Sequence, residues 1–311
     1  MPWNLYSFTS FSKYVIYNTI IRIHEMKGFF RTSKKKMLDD YKKIIDIALS
    51  EDLGPADVTS EATIPSDAVS TAAMLAKQDL VLAGLDVSKY VFFHLDPNIQ
   101  FTPFAKDGDG IRAGTELARI SGSTRALLAG ERTALNILQH LCGIATLTAK
   151  YVEKLNGLKT RVLDTRKTLP GLRQLQKYAV RMDGGTNHRF GLFDGVLIKD
   201  NHIKASEGII KAVERARKSA HHLLCVEVET KTLDEVLEAL AVGADVIMLD
   251  NMPIDMMREA VKLVDGRVPL EASGNVTLDT IRHIAETGVD FVSVGSLTHS
   301  APAADINMKI K

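Results

Sequence analysis

The second half of the chain alternates short apolar runs with amphipathic stretches. After Gly157, six runs rich in β-forming residues are predicted to be strands: Arg161–Asp164, Gly195–Ile198, Leu223–Val228, Ala244–Leu249, Val268–Ala272 and Phe291–Val294. Segments with apolar residues at helical spacing lie between most of them, for example Ile209–Arg217 and Leu233–Leu240. Strands that are apolar on both faces and separated by helices are typical of a parallel sheet. This half is therefore predicted to be an α/β domain with either a parallel sheet or a barrel, and we favour an irregular, TIM-like (β/α) barrel.

The first half of the chain has shorter elements and more frequent turns. Residues Met37–Leu53 have apolar positions at helical spacing and end at a Gly-Pro pair, so a helix is predicted there. Ala72–Leu75 and Leu80–Ala83 are predicted strands, followed by glycine-containing turns between residues 107 and 114. Apolar residues then recur every three or four positions from Leu135 to Val152, which predicts a long amphipathic helix. These elements indicate a small N-terminal α+β sandwich domain.

The predicted domain boundaries follow from this change of pattern. Residues 1–36 form an extension, residues 37–141 the α+β domain, and residues 142–299 the catalytic α/β barrel, with residues 300–311 expected to return to the N-terminal domain. The extension holds seven Lys or Arg residues and one Glu, and it ends in three consecutive lysines. A disordered tail, a transit peptide or a basic membrane-touching segment would have this composition. We favour an upstream start codon, with Met26 or Met37 as the true beginning.

Composition narrows the class of protein. The 311 residues carry a net charge of +1, but the part after residue 36 holds 32 of the 39 basic and 37 of the 38 acidic residues. An acidic body argues against a nucleic-acid binder, and no apolar run approaches the roughly 20 residues of a membrane span. Cys142 and Cys225 each lie in an apolar run and are predicted to be buried thiols in a reducing, cytoplasmic compartment. No G-x-G-x-x-G motif follows a strand, so a dinucleotide fold has no support.

Polar residues recur at the carboxyl end of each predicted strand. They are Asp164-Thr165-Arg166-Lys167, Lys199-Asp200-Asn201-His202, Glu227 with Glu229, Asp250-Asn251, Ser273-Gly274-Asn275, and Gly295-Ser296. In (β/α) barrels this end of the sheet forms the active site. Because polar residues follow all six strands at the same end, a catalytic pocket is predicted there rather than ordinary solvated loops.

The residue types at these ends indicate an anionic ligand. Cationic donors that suit carboxylates and phosphates are Arg132, Arg166, Lys167, His188, Arg189 and Lys199. Ser273-Gly274 and Gly295-Ser296 follow the last two strands, where barrels commonly bind phosphate through backbone N–H groups. Glu229 and Asp250 would suit ribose hydroxyls or a metal-bound phosphate. Phosphate, sugar and a carboxylated co-substrate together indicate a phosphoribosyl donor.

A series of motifs also resembles one known family, the quinolinate phosphoribosyltransferases (nicotinate-nucleotide pyrophosphorylase, carboxylating), which are type II phosphoribosyltransferases. From about Met37 onward the matching motifs occur in order: Glu51-Asp52-Leu53-Gly54, Asp57-Val58-Thr59-Ser60, Glu131-Arg132-Thr133-Ala134-Leu135-Asn136, Thr165-Arg166-Lys167-Thr168 with Pro170-Gly171-Leu172-Arg173, Asn187-His188-Arg189-Phe190-Gly191-Leu192, Leu197-Ile198-Lys199-Asp200-Asn201-His202, Val226-Glu227-Val228-Glu229, Met248-Leu249-Asp250-Asn251 and Glu271-Ala272-Ser273-Gly274. One departure is Asp183 before Gly184-Gly185, where the family pattern has a run of glycines.

The resemblance implies a reaction and a role for each matching residue. The activity would be phosphoribosyl transfer from phosphoribosyl pyrophosphate (PRPP) to quinolinate with loss of CO₂, on the route to NAD, with Lys199, Glu229 and Asp250 as catalytic residues. The two carboxylates of quinolinate would be held by Arg166, His188, Arg189 and Lys199, and by Arg132 from the neighbouring subunit of a homodimer or higher oligomer with shared sites. PRPP and its Mg²⁺ would contact Thr165, Lys167, Glu229 and Asp250, and its 5′-phosphate would contact Ser273, Gly274, Asn275, Gly295 and Ser296.

Three other functions remain open from the residues alone. A lysine at a strand end, Lys199, could form a Schiff base in an aldolase-like enzyme. A paralogue with the same fold, associated with molybdenum transport or specific for nicotinate, would share most motifs. A metabolite-binding or scaffolding protein without catalysis would share them too, although every catalytic-type position is occupied here.

Overall fold

The structure, a computed structural model, describes residues 41–311 of the chain. The predicted extension over residues 1–36 lies outside the described residues, as do the first four residues of the helix predicted over Met37–Leu53. The rest of that helix, α1, is present over residues 41–53 and ends at Gly54, which has a left-handed φ of 52°. Within the described part, no helix is long and apolar enough to cross a bilayer.

A four-stranded antiparallel sheet follows, in the order β12-β1-β5-β3. Its strands are β1 (Val69–Ala76), β3 (Gln100–Pro103), β5 (Glu116–Ser123) and β12 (Ile306–Ile310). A separate two-stranded ladder joins β2 (Leu80–Val81) and β4 (Gly110–Ile111). Helices α2 (Val58–Thr63) and α3 (Leu85–Leu95) precede and interrupt these strands. The last strand, β12, pairs with β1 from Ala72↔Ile310 to Ala76↔Ile306, so the end of the chain belongs to this small sheet.

The long helix α4 spans Thr124–Lys154. Its predicted apolar stripe is present, since Leu135, Leu138, Cys142 and Ala145 are buried. The helix runs without a break through residue 141, where the sequence placed a domain boundary. Gly143 lies against the chain's C-terminal segment, where an added Cβ would lie 2.0 Å from the carbonyl oxygen of Pro302. Only glycine allows that backbone to come so close.

The second half forms a six-stranded parallel sheet, in the order β6-β11-β10-β9-β8-β7. Its strands are β6 (Arg161–Leu163), β7 (Val196–Ile198), β8 (Val226–Thr230), β9 (Val246–Asp250), β10 (Leu270–Ser273) and β11 (Phe291–Ser293). The helices around it are α5 (Arg173–Val180), the 3₁₀ turn Arg181–Asp183, α6 (Asp200–Ala205), α7 (Ile209–Ser219), α8 (Leu233–Ala241), α9 (Ile254–Val264), α10 (Ile281–Ala285) and α11 (Ser296–His299). An isolated bridge joins Leu163 on β6 to Thr186. All six predicted strands and the α/β fold class are confirmed.

Two details of the sequence prediction are wrong. The third strand of the barrel was expected to begin at Leu223, but β8 begins at Val226 and Leu223 is 79% exposed, because residues 222–224 form a turn. Cys225 sits at the end of that turn and is an exposed thiol rather than a buried one. Cys142 is buried as predicted, and burial raises the pKa of its thiol to about 12.

Candidate active site

A cavity of about 500 Å³ lies at the carboxyl ends of the parallel strands. That volume is in the usual range for sites that bind small metabolites. Its walls come from every strand of the large sheet or from the loops that follow them: Thr165, Arg166, Lys167, His188, Arg189, Leu197, Lys199, Glu229, Met248, Asp250, Asn251, Glu271, Ser273, Gly274, Asn275 and Ser293.

Most residues predicted for the site line this cavity. The predicted residues that it brings together are Thr165, Arg166, Lys167, His188, Arg189, Lys199, Glu229, Asp250, Ser273, Gly274 and Asn275. Gly295 is adjacent, because a Cβ added there would lie 3.1 Å from Cδ of Lys167. The Ser296 hydroxyl lies 3.5 Å from the Tyr151 hydroxyl and is outside the lining. Arg132 is exposed on α4 and does not line the cavity of its own chain.

A buried ion pair fixes the loop that carries His188. Asp164 directly follows β6, and its Oδ1 lies 2.5 Å from Nζ of Lys177 on α5. The same carboxylate accepts hydrogen bonds from Nδ2 of Asn187 at 2.6 Å and from the backbone N–H of His188 at 2.8 Å. Lys177 also donates to the carbonyl oxygen of His188 at 2.9 Å. The backbone of His188 is therefore held on both sides.

The ion pair lies almost out of contact with water, with Lys177 3% and Asp164 0% exposed. Burial raises the pKa of Asp164 and lowers the pKa of Lys177, although their mutual attraction acts in the opposite direction. Desolvation thus outweighs the Coulomb attraction, as is common for buried pairs. The pair orders the Asn187–His188 loop rather than adding much net stability.

The side chain of His188 faces two buried glutamates from different strands. Its Nε2 lies 3.2 Å from Oε2 of Glu227 on β8 and 3.7 Å from Oε2 of Glu271 on β10. Burial acts to lower the pKa of His188, but the hydrogen bond to Glu227 and the charge of Glu271 outweigh it, and the net shift is upward. Burial, together with the charge of Glu227, raises the pKa of Glu271 to about 8. Nδ1 of His188 accepts a hydrogen bond from the backbone N–H of Arg189 at 2.7 Å, so the ring hydrogen lies on Nε2 and faces Glu227.

The three side chains His188, Glu227 and Glu271 also have the spacing of metal ligands. Among residues 41–311 they are the group of His and acidic side chains whose ligand atoms all lie within 4.8 Å of one another. An imidazole and two carboxylates suit a transition-metal ion. However, Nδ1 of His188 accepts the backbone N–H of Arg189, which leaves the ring hydrogen on Nε2, and a ring nitrogen that carries a hydrogen cannot bind a metal.

Two arginines carry hydrogen-bond donors that have no partner among residues 41–311. Nε of Arg166 and Nε of Arg189 are buried and have no partner among the described residues. The NH1 group of Arg189 is anchored to the carbonyl oxygen of Gly195 at 2.8 Å. Burial, followed by the nearby charge of Arg166, lowers the pKa of Arg189. Buried cationic donors without partners are expected to bind an anionic ligand.

The same cavity is also lined by two acidic residues, Glu229 and Asp250. Glu229 on β8 pairs with Nζ of Lys199 at 3.3 Å. Asp250 ends β9 and accepts a hydrogen bond from Nδ2 of Asn251 at 3.0 Å. Asn251 has a left-handed φ of 54°, as do Gly274 and Asn275 in the next loop with φ of 100° and 50°. Left-handed backbone in two adjacent loops is a strained geometry of the kind that clusters at binding sites.

Gly274 is required by its surroundings as well as by its backbone. A Cβ added there would lie 2.2 Å from Oδ1 of Asn251, the atom that accepts a hydrogen bond from Nδ2 of Asn275 at 3.1 Å. The two loops after β9 and β10 thus fit together only around glycine. The backbone N–H of Asn251 also donates to the carbonyl oxygen of Ser273 at 2.8 Å, which joins the two loops.

Comparison with known proteins decides the family. Residues 57–142 match the family model "Quinolinate phosphoribosyl transferase, N-terminal domain", and residues 144–309 match the corresponding "C-terminal domain" model. The chain belongs to the quinolinate phosphoribosyltransferase family. The family resemblance seen in the sequence motifs is therefore confirmed.

Similar members of the quinolinate phosphoribosyltransferase family come from distant organisms. The chain is 45% identical to a probable nicotinate-nucleotide pyrophosphorylase [carboxylating] of Bacillus subtilis over 86% of this chain and 93% of that protein. It is 44% identical to the chloroplastic enzyme of Arabidopsis thaliana over 87% of this chain and 83% of that protein. Among solved structures, nicotinate-nucleotide pyrophosphorylase from Francisella tularensis is 42% identical with a TM-score of 0.85, covering 88% of this chain and 96% of that one.

Three residues at or beside this site carry roles that the sequence alone does not assign. Lys177 lies in the interior of a helix pattern and carried no signal that it would pair with Asp164. Glu271 and Asn251 stood inside family motifs, and this was the signal available for them. Their importance follows from where the strands bring them, since Glu271 faces His188 and Asn251 packs against Gly274.

Proposed function

We propose that this protein is a quinolinate phosphoribosyltransferase that transfers phosphoribosyl from PRPP to quinolinate and releases CO₂. The products are nicotinate mononucleotide, pyrophosphate and CO₂, which places the reaction in NAD biosynthesis. One observation carries the proposal: the same cavity holds two kinds of group. The buried Nε donors of Arg166 and Arg189 have no protein partner among the described residues and suit a dicarboxylate. The loops after β9 and β10, which meet at Gly274, suit a sugar phosphate. Family relatives are named for this reaction.

The cationic wall would bind quinolinate. Arg166 and Arg189 have free buried Nε donors, and a guanidinium can bind a carboxylate through two parallel hydrogen bonds. His188, whose backbone is held by Asp164, would meet the same dicarboxylate through its ring. Lys199 stands at the end of β7 with 48% of its side chain exposed, so it can turn from Glu229 toward substrate. The cations Arg166, Arg189 and Lys199 around one small cavity favour a ligand with two carboxylates over nicotinate, which has one.

A second set of cavity residues would bind PRPP. Thr165 and Lys167 line the cavity after β6, and Gly274, Ser273 and Asn275 line it after β10. Gly295 and Ser296 complete the proposed 5′-phosphate site, with Gly295 beside the Lys167 side chain. Backbone N–H groups at such loops bind phosphate oxygens.

The donor set is suitable for Mg²⁺ carried in with PRPP. Glu229 and Asp250 offer carboxylate oxygens beside the proposed phosphate site, and Mg²⁺ is usually held by one or two carboxylates together with substrate phosphates. When bound, the ion would neutralise charge on the departing pyrophosphate. Glu229 and Asp250 would be its residues in this chain.

The chemistry follows from this arrangement of charges. The ring nitrogen of quinolinate forms a bond to C1 of the ribose, and the bond from C1 to pyrophosphate breaks, with the electron pair leaving on pyrophosphate. Glu229 and Asp250 stabilise the positive charge that develops on the ribose in the transition state. When the 2-carboxylate leaves as CO₂, the electron pair of the broken bond stays on C2, where the adjacent quaternary nitrogen stabilises the carbanion by its positive charge. A proton then replaces the carboxylate at C2.

A homodimer with shared sites is part of the proposal. Arg132 is exposed on α4 and suits a role in the cavity of a second copy. Large apolar side chains are exposed in the loop that follows Arg189, since Leu192 is 72% and Phe193 74% exposed. Exposed apolar groups beside a functional cavity suit a protein–protein contact. Higher assembly of such dimers is compatible with the same surfaces.

The proposal extends to the compartment. Both cysteines, Cys142 and Cys225, are free thiols rather than a disulfide. Free thiols suit a reducing compartment, and we propose the cytoplasm.

The central experiment is an activity assay with a choice of substrates. Purified protein is mixed with Mg²⁺, PRPP and either quinolinate or nicotinate, and pyridine consumption and CO₂ release are measured. We expect quinolinate to be consumed with one CO₂ per turnover, and omission of Mg²⁺ to stop the reaction. Activity on nicotinate alone, without CO₂, would overturn the assignment in favour of a nicotinate-specific paralogue.

Mixing two inactive variants tests the shared site. Arg132→Ala and Lys199→Ala homodimers should each be nearly inactive, because each lacks a substrate contact in every site. After subunit exchange, heterodimers regain one site with both residues intact, so activity should return in part. Verified exchange without recovery would show that Arg132 serves no partner site.

A further inference from the structure

Two loops on the rim of the cavity are joined through one buried side chain. The first loop, residues 165–172, follows β6 and carries Thr165, Arg166 and Lys167. The second, residues 295–299, follows β11 and contains Gly295 and the short helix α11. They come from parts of the chain about 130 residues apart. The position of the first loop relative to the second determines the distance of Arg166 and Lys167 from the proposed phosphate site.

Gln176 on α5 lies between these loops and has no exposed surface. Its Oε1 accepts a hydrogen bond from the backbone N–H of Leu169 in the first loop at 2.9 Å. Its Nε2 donates to the carbonyl oxygen of Thr298 in the second loop at 2.9 Å. The same Nε2 lies 2.8 Å from Nε2 of His140 on α4. A single amide group thus connects two rim loops and the long helix.

The partners themselves fix the orientation of the amide. A backbone N–H can only donate and a carbonyl oxygen can only accept, so Oε1 must face Leu169 and Nε2 must face Thr298. His140 must then accept through Nε2, which requires a neutral imidazole with its proton on Nδ1. Burial lowers the pKa of His140, in agreement with the neutral form. Oε1 and both N–H groups of the amide therefore have partners.

Further contacts join the same two loops. The hydroxyl of Thr298, which is 1% exposed, donates to the carbonyl oxygen of Lys167 at 2.7 Å. The stem of Lys167 also passes so close to Gly295 that a Cβ added there would lie 3.1 Å from Cδ. In contrast, the buried Nε of Arg166 has no partner in the described part of the chain. The position of the Arg166 guanidinium therefore depends largely on the hydrogen bonds that hold the backbone of its loop at Lys167 and Leu169.

We infer that Gln176 is a positioning residue, which holds Arg166 and Lys167 in their binding positions by tying their loop to α11. The inference rests on the proposed function for the identity of the ligands. Gln176 lines no part of the cavity and touches no reacting atom. Its effect passes through the backbone at Leu169 and Thr298. A displacement of about 1 Å in a binding group can lower catalysis by up to about a hundredfold.

A matched pair of variants separates positioning from stability alone. Gln176→Met keeps the volume of the side chain and removes its hydrogen bonds. Gln139→Met on α4 removes an amide that donates to the carbonyl oxygen of Ile306 at 2.6 Å, away from the rim loops. Thr298→Val removes the second link to Lys167 without touching α5. Each full-length variant is examined for kcat and KM with quinolinate and PRPP, for free energy of unfolding, and for hydrogen exchange at the Leu169 amide.

We expect Gln176→Met to raise KM for quinolinate and PRPP by about tenfold or more, with loss of protection at the Leu169 amide. Gln139→Met loses one part-buried hydrogen bond where Gln176→Met loses three, so it should lose less stability and keep KM within about twofold. Thr298→Val should raise KM in the same direction as Gln176→Met. It also provides the test if Gln176→Met does not fold.

Equal kinetic effects of Gln176→Met and Gln139→Met would overturn the inference, as would unchanged KM values in Gln176→Met. The proposed function can fail separately, if wild-type protein does not consume quinolinate. In that case the affinity of each variant for inorganic pyrophosphate and the exchange of the Leu169 amide still decide whether Gln176 positions the loop. Weakened binding and lost protection confined to Gln176→Met and Thr298→Val would support it.

Discussion

Replacing Lys177 by Met should leave the buried carboxylate of Asp164 without its counter-charge. Lys177 is 3% exposed and its ammonium lies 2.5 Å from Asp164, which has no exposed surface. In the variant, Asp164 keeps hydrogen bonds from Asn187 and the His188 amide but loses its counter-charge. Removing one partner of a buried ion pair typically costs about 3–5 kcal/mol of unfolding free energy. We expect a loss in that range.

The double variant Lys177→Met, Asp164→Asn should recover part of the loss. An asparagine at residue 164 carries no charge, so the remaining cost is that of rearranged hydrogen bonds, about 1–2 kcal/mol. The dependence on pH should follow the same logic. Burial raises the pKa of Asp164 while Lys177 lowers it, so removing Lys177 raises that pKa further, and the stability tied to the proton on Asp164, present at low pH and lost as pH rises, is larger in the variant than in wild type. The single variant should therefore lie closest to wild type near pH 5 and furthest from it near pH 8.

Urea denaturation of the three proteins at fixed concentration, followed by circular dichroism at pH 5 and pH 8, measures these differences. The kinetic counterpart is KM for quinolinate, which should rise in both variants because the His188 loop loses an anchor. The reasoning fails if Lys177→Met costs less than about 1 kcal/mol, or if the double variant is as unstable as the single one.

Three further predictions concern other parts of the site and the core. Gly274→Ala should lower kcat/KM for PRPP by about tenfold or more, because a φ of 100° and a Cβ 2.2 Å from Asn251 strain the loop, at a cost of about 1–3 kcal/mol. Gly243→Ala is the control in steady-state kinetics, since that glycine has a φ of 83° but no atom lies within 4 Å of the added Cβ. Equal losses of kcat/KM in the two variants would refute the role of the Asn251 contact. Glu271→Gln should become more stable relative to wild type as pH rises from 5 to 8, because burial beside Glu227 raises the Glu271 pKa from 4.5 to about 8 and the stability tied to its proton is lost over that interval. Thermal melts across this range check it, and a constant difference between the two proteins would contradict it. Finally, a thiol reagent should modify exposed Cys225 in the native protein and reach Cys142 only after unfolding, because burial raises the pKa of Cys142 to about 12; mass spectrometry of native protein with both thiols modified would exclude this.

The sequence by itself determined the six parallel strands and the end of the sheet that carries polar groups. Apolar β-forming runs between amphipathic segments are local patterns, so they can be recognised without knowing how the rest of the chain packs. The polar residues after those runs were predicted to meet because parallel strands end at one edge, and Arg166, Lys199 and Asp250 do line one cavity. Motifs such as Glu271-Ala272-Ser273-Gly274 were enough to indicate the family, which the comparisons confirmed.

Local patterns misplaced residues whose environment depends on a turn. Leu223 and Cys225 looked like strand residues because they are apolar neighbours of Val226. The chain instead turns over residues 222–224, which exposes both side chains. Apolar composition alone cannot show where a strand begins, since the hydrogen bonds that define it come from neighbouring strands.

The tertiary structure alone decided which side chains act on one another across strands and helices. His188 meets Glu227 and Glu271 because parallel register places β8 and β10 beside the His188 loop, and no spacing in the sequence encodes that distance. Lys177 and Gln176 are adjacent on α5, yet one holds the His188 loop and the other the Arg166 loop. Their charges and hydrogen bonds are set by burial and by partners distant in the chain. Composition and periodicity determine the helices and strands. The buried contacts between distant residues, which set the charge and position of the side chains at this site, form only when those elements pack together.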